Sequence, residues 1–363
     1  MKKKIGLLFG GRSGEHEVSL VSASAIAHNF DTEKFEVLPL FISREGNWYG
    51  PVPIEKIKTA KAEDYRDRQV ILAPQPGGML LSVNDGREIC RLDAIFPIVH
   101  GTYGEDGVTQ GLLELADIPY AGAGVTGSAV CMDKVVMRKI LAYHNIPQVK
   151  FTTVLRSQIE RNLPEVIKKI ETVIGYPVFV KPANGGSSVG INKAKDAAEL
   201  TEALRVAAQY DRKILIEQGV NVREIEVSVM GNEEPLVSQP GEICSSNEFY
   251  DYKAKYIDNK SVAVIPAELP TETIAHIRAL AAETYLALEC EGFARVDFFV
   301  ETETGNIYLN EVNSLPGFTD ISMYPKMWEQ AGISTTELLT KLIAYAEERH
   351  ADRKKNSIDC YGF

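Results

Sequence analysis

The sequence predicts an α/β protein, with a parallel α/β domain at the N-terminus followed by two subdomains, the central one of α+β type. Segments with strand and helix patterns alternate from the first residues, and polar loops follow the strands. This alternation indicates a parallel sheet, whose ligands bind at the carboxyl ends of its strands. At roughly 150 residues per domain, a chain of 363 residues is expected to form two or three domains.

The first domain is predicted to span residues 1–122. Residues 4–9 are predicted to form a strand, because the apolar run from Ile5 to Phe9 ends at a pair of glycines, which is typical of a buried strand that leads into a turn. The other elements predicted here are a helix at 19–29, strands at 35–42 and 93–99, and a helix at 110–116.

The central subdomain is predicted at residues 123–216. It begins with one long helix, 127–144, because apolar residues from Val130 to Leu141 are spaced as a stripe on one face. The next elements are a strand at 149–153, a helix at 164–174 that begins with proline, a strand at 177–181, a helix at 197–208 and a strand at 213–217.

The last subdomain is predicted at residues 217–363. Its polar, tyrosine-rich stretch 247–260 lacks an apolar face, so we expect a mobile lid there. The other predicted elements are a strand at 224–230, a helix at 271–289, a hairpin of strands 294–300 and 306–312, and a helix at 335–349.

The composition excludes several classes of protein. Acidic side chains outnumber basic ones by 50 to 39, and the net charge of −11 argues against binding to nucleic acid or anionic membranes. The five cysteines show no C-x-x-C spacing, so neither a zinc site nor a disulfide framework is predicted. No apolar stretch approaches the roughly 18 residues of a spanning helix. We therefore expect a cytoplasmic protein.

The hairpin carries residues suited to a metal ion. A turn centred near Thr304 places Asp297 opposite Glu311, and strand alternation puts Arg295 and Asn313 on the same face. Two carboxylates and an amide form an all-oxygen set that suits Mg²⁺, which keeps water and phosphate in its other positions. The residues alone leave a second interpretation open, namely a solvated polar face in which Arg295 neutralises the acidic pair.

A glycine-rich loop after the strand at 177–181 is suited to phosphate. Its sequence, K-P-A-N-G-G-S-S-V-G from Lys181, offers backbone N–H groups beside a lysine charge. Gly185 and Gly190 have the spacing of a P-loop, but Ile191 and Asn192 stand where lysine and serine or threonine are required. The loop is therefore predicted to bind phosphate without being a P-loop, the alternative being an ordinary connection.

The strand at 213–217 ends in a pattern that adenosine could use. Glu217 offers an acceptor for an adenine amino group, the backbone that follows offers a donor, and Glu224 offers a carboxylate for ribose. A glutamate at a strand end is common, so this signal alone is weak.

These motifs together resemble the ATP-grasp D-alanine–D-alanine ligases. The similarity runs from Lys4 to about Ser322, and the number of motifs in one order makes it highly specific. The motifs are G-G-R-S-G-E-H-E-V-S-L, H-G-T-Y-G-E-D-G, M-D-K, V-K-P-A-N-G-G-S-S-V-G, E-F-Y-D-Y-K-A-K-Y, R-V-D and N-E-V-N-S-L-P-G-F-T.

The resemblance implies that the two subdomains clamp ATP between their sheets, with Mg²⁺ or Mn²⁺ as two bound ions. The metal ligands would be Asp297, Glu311 and Asn313. The ATP-binding residues would be Lys134, Lys181, Ser188, Glu217, Gln218, Gly219, Val220, Glu224 and Lys255.

The resemblance also implies the reaction. ATP would convert one D-alanine to D-alanyl phosphate, and the second would displace phosphate to give D-alanyl-D-alanine for peptidoglycan, with ADP as the other product. A homodimer is expected, as is common in the family. The catalytic residues would be Glu15, Ser187, Tyr256, Arg295 and Gly317, and the substrate-binding residues Glu15, His100, Tyr250, Lys255 and Ser322.

Three alternatives remain at this point. A D-alanine–D-lactate ligase resembles this chain, but such enzymes typically alter the lid tyrosine, so Tyr256 favours D-alanine. A non-catalytic nucleotide-binding regulator is disfavoured because every proposed metal ligand and both lysines are present. A nicotinamide dehydrogenase lacks its G-x-G-x-x-G fingerprint here. His100 could also be a structural residue at a strand end.

Overall fold

A computed structural model of the chain describes residues 1–244 and 262–357, which form three β-sheets flanked by helices. The whole predicted lid, 247–260, including Tyr250, Lys255 and Tyr256, lies outside the described residues. None of the helices within the two described ranges is long and apolar enough to cross a bilayer.

The N-terminal sheet has seven strands in the order β6-β5-β4-β3-β2-β1-β7. Only β2, β1 and β7 run parallel, so the predicted parallel sheet extends into an antiparallel half. The strands are β1 (Lys3–Gly10), β2 (Phe35–Ile42), β3 (Trp48–Tyr49), β4 (Gln69–Leu72), β5 (Met79–Ser82), β6 (Glu88–Arg91) and β7 (Ala94–Pro97), and the helices are α1 (His16–Asn29) and α2 (Val108–Leu115).

The predicted helix 127–144 is wrong in one respect, because it is two helices, α3 (Val125–Met132) and α4 (Lys134–Tyr143). The break is at Asp133, whose backbone is extended and whose carboxylate accepts hydrogen bonds from the N–H groups of Val135 and Val136. An aspartate in this position starts a new helix. The new start places Lys134 in the first turn of α4, beside the central sheet.

The central sheet has four antiparallel strands in the order β10-β9-β11-β8 and its own apolar core. Pro164 lies inside α5, just after a non-helical residue, Asn162, so it stands near the start of the second helical segment, as a proline at a helix start does. The elements are β8 (Phe151–Leu155), α5 (Arg156–Val173), β9 (Val178–Pro182), β10 (Asn192–Ala194), α6 (Ala197–Tyr210) and β11 (Lys213–Gln218).

The C-terminal sheet is antiparallel, in the order β15-β14-β12-β16-β17, with β13 paired to β12. The long hairpin β16–β17 lies at one edge and faces the central sheet's glycine-rich loop. The elements are β12 (Val222–Gly231), β13 (Leu236–Val237), β14 (Gly241–Cys244), β15 (Val262–Val264), α7 (Thr271–Ala287), β16 (Gly292–Glu301), β17 (Ile307–Asn313), α8 (Met323–Gln330) and α9 (Thr335–Arg353).

The N-terminal and C-terminal sheets share one apolar core, which does not include the central sheet. Phe96 of β7 stacks on Phe293 of β16 with ring centroids 5.8 Å apart, and Phe318 and Tyr324 pack around this pair. Leucines of α9 complete the shared core. This packing fixes the carboxyl ends of β1 and β7 beside the hairpin.

Candidate active site

A cavity lies where the three sheets meet, and most of the predicted site residues that are described line it. The loops after β1 and β7 bring Glu15 and His100, and the loop after β9 brings the glycines and serines. The hairpin brings Arg295, Glu311 and Asn313. The parallel strands thus present their carboxyl ends to the cavity, as expected for an α/β sheet.

The Glu15 carboxylate is enclosed by the glycine-rich loop. Ser187 Oγ donates a hydrogen bond to Glu15 Oε1. The other oxygen, Oε2, lies so close to two glycines that a Cβ added at Gly186 would be 2.3 Å from it, and one at Gly101 would be 2.8 Å from it. The absence of side chains at these two positions therefore sets where the carboxylate lies.

The two predicted phosphate-binding lysines are held by different partners. Lys134 Nζ donates to the Gly185 carbonyl oxygen at 2.8 Å and lies 3.8 Å from Glu311 Oε2. Lys181 Nζ pairs with Glu217 Oε2 at 2.6 Å. Both lysines line the cavity near Ser187 and Ser188, whose backbones are left-handed, with φ of 50° and 59°. Consecutive residues turned in this way suit an anion.

Glu217 lies under Lys181 and is only 2% exposed. Its carboxylate pairs with Lys181 and with Arg138 of α4, which is itself buried. Burial raises the pKa of Glu217, but the charges of Arg138 and Lys181 outweigh it and hold the pKa below its ordinary value. The observed contacts give Glu217 a role as the anchor of Lys181, which the sequence did not predict.

The backbone N–H groups that follow Glu217 differ in their hydrogen bonding. The N–H of Gln218 donates to Lys150 and that of Gly219 donates to Pro177, both at 2.8 Å to the carbonyl oxygen. Within the described part of the chain, no backbone hydrogen bond is made by the Val220 N–H. Val220 thus offers a backbone donor that no described backbone acceptor uses.

The predicted pairing of Asp297 with Glu311 in the hairpin is confirmed. The register shifts directly after Asp297, so a bulge follows the acidic pair. Arg295 donates from Nε and Nη2 to the two oxygens of Asp297, each at 2.7 Å, and Asn313 Nδ2 donates to Asp297 Oδ2 at 2.9 Å. The carboxylates and the amide share one face and supply the oxygen donors that Mg²⁺ prefers.

His100 and Ser322 both line the cavity. His100 Nδ1 lies 3.0 Å from the Leu315 carbonyl oxygen, and its Nε2 lies 3.3 Å from Ser22 Oγ. Burial lowers the pKa of His100, although the charge of Glu15 opposes the shift. Ser322 Oγ accepts from the Thr319 N–H at 3.0 Å. Gly317 lies close by, since a Cβ there would be 2.8 Å from Ser322 Oγ.

Known families match almost the entire chain. A family model described as the D-ala D-ala ligase N-terminus matches residues 4–123, and one described as the D-ala D-ala ligase C-terminus matches residues 140–344. A D-alanine–D-alanine ligase of Acetivibrio thermocellus is 47% identical over 369 residues, with 98% of each chain covered. The chain belongs to the D-alanine–D-alanine ligase family. A family member from Natranaerobius thermophilus is 46% identical, with 99% of each chain covered.

Solved structures of the family share the fold. The D-alanine-D-alanine ligase from Coxiella burnetii has a TM-score of 0.85 and 35% identity, with 98% of each chain covered. The VanG D-Ala:D-Ser ligase from Enterococcus faecalis also has a TM-score of 0.85, with 38% identity over 95% of this chain and 100% of that one. The protein is therefore an ATP-dependent ligase of ATP-grasp fold, and the prediction of family and fold is confirmed.

The sequence did not single out three residues that line this cavity or support it from behind. Glu105 lines the cavity and accepts from the Gly101 N–H at 2.9 Å, and it belongs to the quoted motif H-G-T-Y-G-E-D-G. Arg138 is four residues after Lys134, a helical spacing that could have shown the two on one face. Glu226 is two residues after Glu224, so strand alternation puts both on the cavity side.

We expect Glu105 to make stability of the ligand-free protein depend on pH. Burial and the charge of Glu15 raise the pKa of Glu105 from 4.5 to about 8. The folded state therefore holds a proton that the unfolded chain loses, so the stabilisation is full below pH 4.5 and is lost as the pH rises towards 8. One pKa unit corresponds to about 1.4 kcal/mol, and water in the cavity reduces this, so we expect a loss of roughly 1–2 kcal/mol.

Urea denaturation of the wild type and of Glu105→Gln between pH 5 and 8 measures this effect. The glutamine is neutral throughout, so the wild type should lose stability relative to the variant as the pH rises. His100 is present in both proteins, and its own titration cancels in the difference. A difference that is constant with pH would contradict a raised Glu105 pKa.

A second prediction concerns Gly186. An alanine there has no positive φ to strain it, but its Cβ would force the Glu15 carboxylate to move. Because the displaced group is the end of a flexible side chain, we expect stability to be kept. Misplacing a substrate-binding group by about 1 Å can cost about 100-fold, so kcat/KM for D-alanine should fall roughly 10- to 100-fold.

Gly185→Ala is the matched control, since a Cβ at Gly185 would meet no atom within 4 Å. Steady-state kinetics and thermal melting of both variants decide the outcome. Equal activity of the Gly186 and Gly185 variants would show that the tight fit around Glu15 does not matter.

Proposed function

We propose that the protein joins two D-alanine molecules through a D-alanyl phosphate intermediate, with release of ADP and phosphate. The dipeptide would serve as a precursor of peptidoglycan. One observation carries the proposal: a glycine-enclosed carboxylate, Glu15, shares its cavity with two lysines and with the acidic hairpin. The Glu15 carboxylate suits an amino acid's ammonium. The two lysines suit a triphosphate, and the acidic hairpin suits its cations.

The chemistry requires these charges. A carboxylate is a poor electrophile, so ATP activates it by forming an acyl phosphate. The transfer brings anions together, and fixed cations offset their repulsion. Glu15 would hold the first substrate's ammonium, while Arg295 and the Gly317 N–H would face the oxygen that gains charge. These roles are supported by the position of all three residues on the wall of one cavity.

ATP would lie between the subdomains 123–216 and 217–363. Lys134, Lys181 and Ser188 would contact its phosphates, and Glu224 would accept from the ribose. The Val220 N–H would donate to adenine, with Gln218 and Gly219 forming the adjoining backbone. Glu217 would hold Lys181 in place through their ion pair. Its anionic carboxylate would also offer an acceptor to the adenine amino group.

The hairpin would hold Mg²⁺ or Mn²⁺, as two ions, through Asp297, Glu311 and Asn313. When bound, the ions would neutralise phosphate charge and orient the triphosphate. The oxygen donors on one face and the proximity of Lys134 to Glu311 support this placement.

The second D-alanine would bind with its carboxylate near Ser322 and Lys255, beside His100 and Tyr250. Its amine must be neutral to attack, and the Ser187–Glu15 hydrogen bond is the described part of a network that could accept the proton. Tyr256 would complete that network from the lid, 247–260, and the closed lid would exclude water from the acyl phosphate.

We also propose a cytoplasmic location and a homodimer. A cytoplasmic location fits the need for ATP and the absence of a spanning helix among the described residues. Analytical ultracentrifugation tests the dimer, and a monomer at assay concentration would contradict it.

The second substrate is the point on which related ligases differ. A structural neighbour is a D-Ala:D-Ser ligase, and D-lactate is the other alternative acceptor. Release of phosphate from ATP should be measured in the presence of Mg²⁺, across pH. The assay should compare D-alanine alone with D-alanine plus L-alanine, D-serine or D-lactate. We expect D-alanyl-D-alanine as the main product. ATP binding without phosphate release would instead support a non-catalytic regulator.

A further inference from the structure

Three acidic residues form a row across three neighbouring strands of the C-terminal sheet. Glu226 of β12 is paired with Asp297 of β16, and Asp297 is paired with Glu311 of β17. Directly paired positions have Cβ atoms about 5 Å apart, and like charges there repel each other. The row therefore needs cations on its cavity side, and Glu226 has no role in the function proposed above.

Arg295 is the cation that the chain itself supplies to this row. Its Nε lies 2.7 Å from Asp297 Oδ1 and 3.1 Å from Glu226 Oε2, and its Nη2 lies 2.7 Å from Asp297 Oδ2. The guanidinium is thus held by two carboxylates on adjacent strands. Because Arg295 also lines the cavity, its remaining nitrogen, Nη1, is the one that a ligand can use.

Glu226 does not join Asp297 and Glu311 in a three-carboxylate site. Among the residues described, no three Asp, Glu, His or Cys side chains converge on one point in a way that could hold a metal ion. The contact of Glu226 with Arg295 places it on the guanidinium rather than on the hairpin's ion site.

We propose that Glu226 is a positioning residue for Arg295, which keeps the guanidinium aimed into the cavity when a divalent cation occupies the Asp297 side. The inference rests on the proposed function. A cation on Asp297 competes with Arg295 for the same oxygens and repels its charge. Glu226 attracts Nε from a strand that carries none of the proposed metal ligands, so this ion pair remains. A planar guanidinium held by that charge keeps its orientation.

Three variants test the role of Glu226. Glu226→Ala removes the anchor, and kcat should fall roughly 10- to 100-fold, with KM for ATP and D-alanine little changed. Glu226→Gln keeps the size of the side chain but removes its charge, so kcat should fall nearly as far as in Glu226→Ala, because the contact with Nε is an ion pair. Glu242→Ala is the matched control. It removes an ion pair with Arg223 that has two hydrogen bonds and lies on the opposite face of the same sheet. The control should leave kcat unchanged.

Two further measurements distinguish a residue that acts through Arg295 from a metal ligand and from a residue that acts independently of Arg295. Binding of Mn²⁺ in the presence of a non-hydrolysable ATP analogue should be equal in the wild type and both Glu226 variants, and an affinity reduced tenfold or more would make Glu226 a metal ligand instead. In an Arg295→Met background, Glu226→Ala should cause no further loss of kcat. The same loss in both backgrounds would show that Glu226 does not act through Arg295.

The failure of the inference can be told from the failure of the proposed function. A wild type without ligase activity, or Arg295→Met with full activity, would contradict the proposed function. Low activity in Arg295→Met together with normal kcat in Glu226→Ala would overturn only the role of Glu226. If Glu226→Ala melts at a much lower temperature, Glu226→Gln decides the question, since a normal kcat in that variant would overturn the role of Glu226.

Discussion

Asp297→Asn and Glu311→Gln should each reduce dipeptide formation by roughly 100-fold or more, because both remove a charge that would bind the nucleotide's divalent cations. Binding of Mn²⁺, measured with nucleotide and without turnover, should weaken in parallel. Near-normal activity of either variant at limiting Mg²⁺ would contradict the metal assignment.

The two substitutions should differ in their effect on the ligand-free fold. Asp297 accepts two hydrogen bonds from Arg295 and one from Asn313, so its neutralisation weakens a buried ion pair. Glu311 lies opposite Asp297, and its neutralisation relieves a like-charge repulsion. We expect a lower Tm for Asp297→Asn and an unchanged or slightly higher Tm for Glu311→Gln. The reverse order would show that the contact of Glu311 with Lys134 stabilises the fold more than the hydrogen bonds of Asp297 do.

Glu217→Gln should destabilise the protein by roughly 3–5 kcal/mol, since it leaves the buried Arg138 and Lys181 without their shared counter-charge. Affinity for ATP should fall as well, because Lys181 loses the partner that holds it at the cavity. Urea denaturation and nucleotide binding are the two measurements.

The control for Glu217 is Glu202→Gln, which breaks an exposed pair with Arg205 at 3.9 Å and should cost less than about 1 kcal/mol. The pH dependence gives a second check. Because the pKa of Glu217 is lowered on folding, its stabilisation is present above pH 4.5 and is lost as the pH falls through the folded value. A cost near that of the control would show that the buried charges rearrange freely.

Local pattern was enough to predict the hairpin and the side chains that share its polar face. A strand alternates its side chains and a short turn fixes the register, so the pairing of Asp297 with Glu311 could be deduced from their distance to the turn. The bulge after Asp297 could not, because nothing local distinguishes it. The loop at Gly185 and Gly186 was likewise predicted from composition alone.

The features that the sequence did not predict depend on contacts between distant segments. The apolar stripe from Val130 to Leu141 continues through the break at Asp133, whose carboxylate also pairs with the distant Lys213. The partnership of Glu217 with Arg138 joins a strand to a helix 79 positions earlier, and no periodicity links them. The short strands between residues 48 and 91 extend the sheet from the edge of β2, where β3 pairs with it.

The shared aromatic core has a consequence for dividing the molecule into pieces. Phe96, Phe293, Phe318 and Tyr324 come from both ends of the chain but pack in one interior, so a fragment that ends at residue 122 would expose its side of that interior to water. The segment from β8 to β11 keeps its own interior and is connected to the rest by only two crossings of the backbone. We therefore expect the central piece to be the one that survives excision, and the two ends to melt together as a single cooperative body.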